Sequence, residues 1–254
     1  MCLILFHYDP EGEYPLTVMA NRDEFHERKT LQAAFWDDAP NILAGRDMEK
    51  GGTWMGVSRT GRFAVVTNYR SLADMRPGGA SRGDLTRLFL AGEETALDYA
   101  KRVARTGGSY TGFNLLVSDG TELFYLSNRD RKGPIRVSAG FRGLSNAFLD
   151  TPWPKVTEGV EALRQSVRRG DPAWDWRRIL ADTSIAPDER LPNTGIGIEK
   201  ERQLSSRCIE IAGYGTRCSS FVRIGRDGSI VFEEKTLVPA GLHPETVTFS
   251  LKRS

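Results

Sequence analysis

Met1-Cys2-Leu3-Ile4-Leu5-Phe6-His7-Tyr8, then Asp9-Pro10-Glu11-Gly12, then Pro15-Leu16-Thr17-Val18-Met19-Ala20, is the stretch from which the rest of the chain is read. Two short apolar runs joined by turn-forming residues predict a β-hairpin over 2–8 and 15–20. Cys2 then opens a central strand. A cysteine is small enough for a preceding initiator methionine to be trimmed, which would leave one residue carrying both a thiol and a free α-amine. The thiol has a reference pKa of about 8.5 and the amine of about 7.7–8.0, so the amine can take the thiol's proton near neutrality. Such a residue is nucleophile and general base at once. Cysteine is also, most often, a small buried hydrophobe, so Cys2 alone does not decide between the two.

Working outward from the hairpin, Asn21-Arg22-Asp23-Glu24 follows the second strand as a charged knot, and a loop region is expected through Pro40. A second strand pair is predicted at 51–57 and 62–67, turning at Arg59-Thr60-Gly61. Ser81-Arg82-Gly83-Asp84 opens a helical region whose apolar spacing continues over two helices broken at Gly92. A further hairpin is expected at 112–118 and 121–127, and short strands at 133–147. Helices are expected at 153–167 and 174–181, and 183–203 reads as loop. Strands return at 208–212, 219–224, 229–234 and 246–251. Strands at both ends with helices clustered between them predict an α+β layered sheet structure built as one domain over 1–254.

Bulk properties narrow the function classes. The chain has 254 residues, enough to bury an ample core without metals or disulfides. Lys+Arg 35 against Asp+Glu 33 leaves a net charge of +2, which excludes a general nucleic-acid or membrane-surface binder. Cys2, Cys208 and Cys218 are too few and scattered for a disulfide framework or a zinc ribbon, so Cys208 and Cys218 are read as structural. No apolar run approaches the ~18–20 residues that span a bilayer, and the start lacks a secretory leader pattern. A protein of the cytoplasm without stable membrane insertion is the expectation.

The polar constellations offer chemistry in several places. In a hairpin, Arg22 and Asp23 come to lie near Cys2. An arginine lowers the pKa of a thiol beside it, and a carboxylate can hold an α-amine. The same four polar residues also suit a turn with surface ion pairs. Asn68 and Asn146 each follow a short strand, where an amide can donate to a developing oxyanion or simply turn the chain. Gly215-Thr216-Arg217-Cys218-Ser219-Ser220 is not a nucleophile elbow. His7, His26 and His243 are the only histidines, and a Ser-His-Asp arrangement finds little support among them. No His pair at i, i+4 and no CxxC suggests a metal, and no cofactor is expected.

Met1-Cys2-Leu-Ile-Leu-Phe, Ala20-Asn21-Arg22-Asp23-Glu24-Phe25, Leu43-Ala44-Gly45-Arg46-Asp47, Gly51-Gly52-Thr53-Trp54-Met55-Gly56, Thr67-Asn68-Tyr69-Arg70 and Tyr214-Gly215-Thr216-Arg217 occur in that order. This ordered set resembles the NRDE proteins, the transport and Golgi organisation protein 2 family. The resemblance runs nearly end to end, through Leu191-Pro192-Asn193-Thr194-Gly195 and Glu199-Lys200-Glu201. That family is related to N-terminal-nucleophile hydrolases of the choloylglycine hydrolase and penicillin V acylase group. The resemblance therefore implies a four-layer αββα sandwich and a cysteine amidohydrolase or acyltransferase acting on an acyl amide or thioester.

It also implies roles. Cys2 matches the nucleophile, and Asp23 the aspartate that holds the α-amine. Arg22 stands near, though not at, the position of the related hydrolases' arginine. Asn68 and Asn146 match oxyanion-hole asparagines, and Arg217 their late arginine, with a different spacing. The resemblance also supports a competing class. Relatives are discussed in terms of haem mobilisation and lipid or acyl-CoA handling, so a non-catalytic carrier of haem, acyl-CoA or lipid on the same scaffold is the alternative. The expected partner is a small acyl substrate or hydrophobic ligand, and the oligomeric state is left open.

Overall fold

The computed structural model describes residues 2–72, 79–130, 132–170, 172–237 and 245–253. The opening hairpin forms as the pattern requires. Strand β1 (Cys2–Tyr8) pairs antiparallel with β2 (Leu16–Phe25), with Cys2 opposite Arg22 and Tyr8 opposite Leu16. Strand β2 runs five residues past Ala20, so Asn21, Arg22 and Asp23 are strand residues rather than a turn after it. The reason is a second partner: β12 (Tyr214–Ile224) pairs along the whole of β2 and supplies hydrogen bonds to its polar end.

The first sheet orders its strands β10-β1-β2-β12-β13-β14, with β10 at Gly140–Leu144, β13 at Ser229–Thr236 and β14 at Thr246–Lys252. The two-residue β11 (Glu210–Ile211) pairs with β12, where a strand over 208–212 is expected. The second sheet orders β3 (Thr30–Trp36), β4 (Ala39–Asp47), β5 (Met55–Ser58), β6 (Phe63–Asn68), β7 (Phe113–Ser118), β8 (Leu123–Ser127) and β9 (Ile135–Arg136). Every pairing is antiparallel. Strand β3 occupies the region expected to be loop, and β4 begins at its end and continues to Asp47. Their pairing slips between Leu31 and Ala34 and between Phe35 and Trp36, which breaks the alternation that would mark them as strands.

Alternation along β1 sorts the layers. Cys2, Ile4, Phe6 and Tyr8 face the second sheet and meet Leu43, Val57, Phe63 and Leu116 in the inter-sheet core. Leu3 and Leu5 face the other way, onto α3 (Pro154–Arg168) and α4 (Pro172–Leu180), where Leu163, Trp176 and Ile179 close that side. The second sheet's outer face, with Ala64, Val66 and Leu115, is covered by α1 (Arg82–Ala91) and α2 (Ala96–Thr106). The result is helix, sheet, sheet, helix. The short α5 (Ile198–Gln203) lies in a stretch expected to be loop.

Candidate active site

Directly opposed residues of an antiparallel pair project from the same face. Cys2 and Arg22 therefore stand side by side, facing the second sheet at one end of the sandwich. The Cys2 carbonyl accepts a hydrogen bond from Ser145 Oγ at 3.0 Å, which ties β1 to the segment after β10. The residue is buried, 7% exposed, and burial pushes its thiol up; the Asp23 carboxylate adds to the rise and the Arg22 guanidinium opposes it. Cys2 lines a cleft of ≈ 210 Å³ together with Arg22, Asp23 and Asn68. Residues 79–83, which lead into the start of α1, form part of the same wall.

Asp23, next along β2, is buried and accepts Thr216 Oγ1 at 2.8 Å. Thr216 Oγ1 in turn accepts the Ile209 amide at 2.8 Å. Farther from the cleft Lys155 of α3 is buried and donates from Nζ to the Leu204 carbonyl at 3.0 Å. Burial pushes the Asp23 carboxyl up and the Lys155 ammonium down to about 8, while the charge on each restrains the shift of the other. Arg70 and Glu201 form a second buried pair at 2.8 Å, with side chains 5% and 3% exposed. Glu201 Oε1 also accepts the Thr194 amide at 2.9 Å. Burial holds the Tyr214 hydroxyl well above its usual range.

The expected site residues separate into two groups. Cys2, Arg22, Asp23 and Asn68 share the cleft. Asn146 and Arg217 are not on its wall. Asn146 is wholly buried, and its Nδ2 donates to the Asn68 carbonyl at 2.9 Å, so it fixes the backbone that carries Asn68. Arg217 lies between Thr216 and Cys218, where the pairing of β12 with β2 shifts by one residue, and it borders a smaller pocket together with Arg22. Its Nη1 donates to the carbonyls of Phe25, His26 and Arg28 and clamps the turn from β2 to β3. Asn21 is taken up by structure: Nδ2 donates to the carbonyls of Leu180 and Arg207, and Oδ1 accepts Ser219 Oγ.

Lys155 had no signal in sequence, being one lysine in the first turn of a helix. Arg70 and Glu201 both lie in segments that carry the family resemblance, yet their pairing across 131 residues is visible only in the fold. Cys208 and Cys218 are free and buried, and burial raises the Cys218 thiol well above the ordinary value. Met1 and His243 lie outside the described residues. Among the described residues no group of three His, Cys, Asp or Glu side chains is placed to hold a metal, and no helix is long and apolar enough to cross a membrane.

The description of one family covers nearly the whole chain: Transport and Golgi organisation 2 matches residues 1–239. The chain belongs to that family. The human Transport and Golgi organization protein 2 homolog is 36% identical over 272 residues, covering 98% of each chain. The Drosophila melanogaster Transport and Golgi organization protein 2 is 26% identical over 273 residues, covering 96% of this chain and 95% of that one. Among solved structures, the C2A mutant of a conjugated bile acid hydrolase from Clostridium perfringens is similar with a TM-score of 0.53 at 8% identity, covering 100% of this chain and 98% of that one. At that identity the likeness concerns the fold, and the fold is that of the N-terminal-nucleophile hydrolases. This member of the Transport and Golgi organisation 2 family thus has a hydrolase-type sandwich with a cysteine at the second position of its chain.

Proposed function

We propose that the chain is a cysteine-nucleophile acyl hydrolase or acyltransferase acting on a linear amide or a thioester. The observation that carries this reading is the place of Cys2: the first residue of a central strand, on a cleft wall, with Arg22 beside it and Asn68 within the same cleft. Burial pushes the Cys2 thiol up and the Asp23 carboxylate adds to the rise, so the thiol needs a base. Removal of Met1 would put that base on Cys2 itself, as its own α-amine. Asp23, pinned by Thr216, is the carboxylate suited to hold the amine.

In the reaction the amine takes the thiol proton and the sulfur adds to the acyl carbonyl carbon. The carbonyl electron pair moves onto oxygen, where the Asn68 amide donates to it. Collapse re-forms the carbonyl and breaks the bond to nitrogen or sulfur, and the leaving group departs with the proton. Water, or an acceptor nucleophile, then adds to the acyl-cysteine and restores the thiol. Arg22 stabilises the thiolate, and Asn146 positions Asn68. The charged wall beside Cys2 suits this chemistry better than the flat apolar faces of a porphyrin.

Intact-mass spectrometry before and after a thioester acylating probe tests the proposal. Loss of Met1, with a single acyl adduct on Cys2 that is absent from Cys2→Ala, is expected. Retained Met1, or a Cys2 no more reactive than Cys208 and Cys218, would sink it and favour the carrier.

A further inference from the structure

Burying a guanidinium without a carboxylate is costly, and a site that does so is ready for an anion. Arg22 is 6% exposed and donates from Nη1 to Thr30 Oγ1 at 3.1 Å. No carboxylate among the described residues forms an ion pair with it. The buried Glu234, which borders a smaller pocket with Arg22, accepts the Ala33 amide at 2.8 Å, and burial pushes its carboxyl up. The carboxylates of the cleft itself have other partners. Asp47 takes Arg28 at 2.6 Å, Glu24 takes the same arginine at 3.7 Å, and Asp23 is bonded to Thr216.

The far wall of the same cleft adds to the positive potential. Helix α1 starts there: Ser81, Arg82 and Gly83 line the cleft, Ser81 makes no side-chain cap, and of the first-turn amides that of Asp84 donates to the Ser81 carbonyl at 3.0 Å, so the positive end of the helix lies at the cleft. The loop before β5 packs directly on that helix start: a Cβ at Gly52 would lie 2.6 Å from the Gly83 carbonyl carbon. This contact sets Lys50 on the cleft wall, and no described carboxylate forms an ion pair with it. The one acid in the helix's first turn, Asp84, is held by Arg87 at 3.1 Å.

We infer that the cleft binds an anionic group between Arg22, Lys50 and the α1 N-terminus, and that its substrate is an acyl donor carrying a carboxylate or phosphate close to the scissile bond. The substrate part rests on the Cys2 reading; the anion site stands on the buried arginine and the helix end. The position of the anion also serves the chemistry, since it draws the reacting carbonyl to the wall that carries Cys2.

The test compares Cys2 alkylation by iodoacetate, an anion, with that by iodoacetamide, its neutral counterpart, in the full chain as isolated. Taking the ratio of rates cancels differences in thiol reactivity. Relative to a cysteine in a short peptide, the ratio is expected to rise by about tenfold or more. Iodoacetate labelling is expected to saturate and to be slowed by inorganic phosphate or acetate. Protection at lower phosphate than acetate assigns a phosphate group, and the reverse a carboxylate. Lys50→Ala brings the ratio back towards that of the peptide.

A ratio equal to the peptide's, without saturation or protection, overturns the inference. If Cys2 resists both reagents, the nucleophile proposal falls, and the anion site is decided by thermal unfolding at fixed ionic strength. Phosphate then raises Tm in the wild type and less in Lys50→Ala if the site exists; equal shifts in both overturn it.

Discussion

Lys155 is the residue whose chemistry is least compatible with its surroundings. It is an ammonium with 3% exposure, within reach of the charge of the buried Asp23 carboxyl. Its pKa falls from 10.5 to about 8, burial outweighing the attraction of Asp23. Between those two values the unfolded chain binds more protons than the folded one, so stability rises with pH through this window and is flat below it. Complete release corresponds to about 3 kcal/mol. Urea unfolding of wild type and Lys155→Met from pH about 7.5 to about 10.5 isolates the effect, because other titrations cancel in the difference. The wild type is expected to gain on the variant by roughly that amount. A constant difference would mean that Lys155 keeps its proton, and that Asp23 is ionised opposite it throughout.

At the scale of elements, legibility followed regularity. The opening hairpin was readable because β1 and the first half of β2 are short apolar runs and Asp9-Pro10-Glu11-Gly12 between them is turn-forming. Strands β3 and β4 were not, because two register slips scramble their alternation. Arg217 falls at a one-residue shift of register, and no local pattern announces such a shift. Asn68 and Asn146 looked equivalent, each ending a strand, yet the fold makes one a cleft residue and the other its support. That difference is measurable. Asn146→Ala is expected to lower stability by about 1–3 kcal/mol, as it deletes the buried donor to the Asn68 carbonyl. Asn68→Ala, at a half-buried position, is expected to leave stability nearly intact. It should slow Cys2 acylation by a thioester probe by roughly 10²–10³. Equal losses of stability in the two variants would return Asn68 to a structural role.

Over the whole molecule, the two sheets meet through an apolar core, through hydrogen bonds from Gln32 and Ala33 of β3 to Thr236 and Glu234 of β13, and through a polar seam at the Cys2 end. Thr67 Oγ1 donates to the Ser145 carbonyl at 2.7 Å, Asn114 Nδ2 to the Ala147 carbonyl at 2.9 Å, and the Arg70 amide to the Asn146 carbonyl at 2.6 Å. The segment 145–147 thus bonds to the second sheet through Thr67 and Asn114, while Ser145 Oγ bonds to Cys2 in the first. Arg70 extends the seam to α5 through Glu201. None of this could be read from sequence, because each bond joins residues that no local pattern relates. Hydrogen-bonded seams of this kind hold a geometry that apolar packing leaves free to slide. A double-mutant cycle on the buried ion pair tests the point. Arg70→Met and Glu201→Gln are each expected to cost about 3–5 kcal/mol, since each leaves a charge buried without its partner. The double variant is expected to cost clearly less than the sum, the two sites being directly coupled. Cys2 acylation is expected to slow in both single variants and to recover in part in the double one. Additive stabilities would show that Arg70 and Glu201 act separately, and would remove the pair as the link between α5 and the cleft.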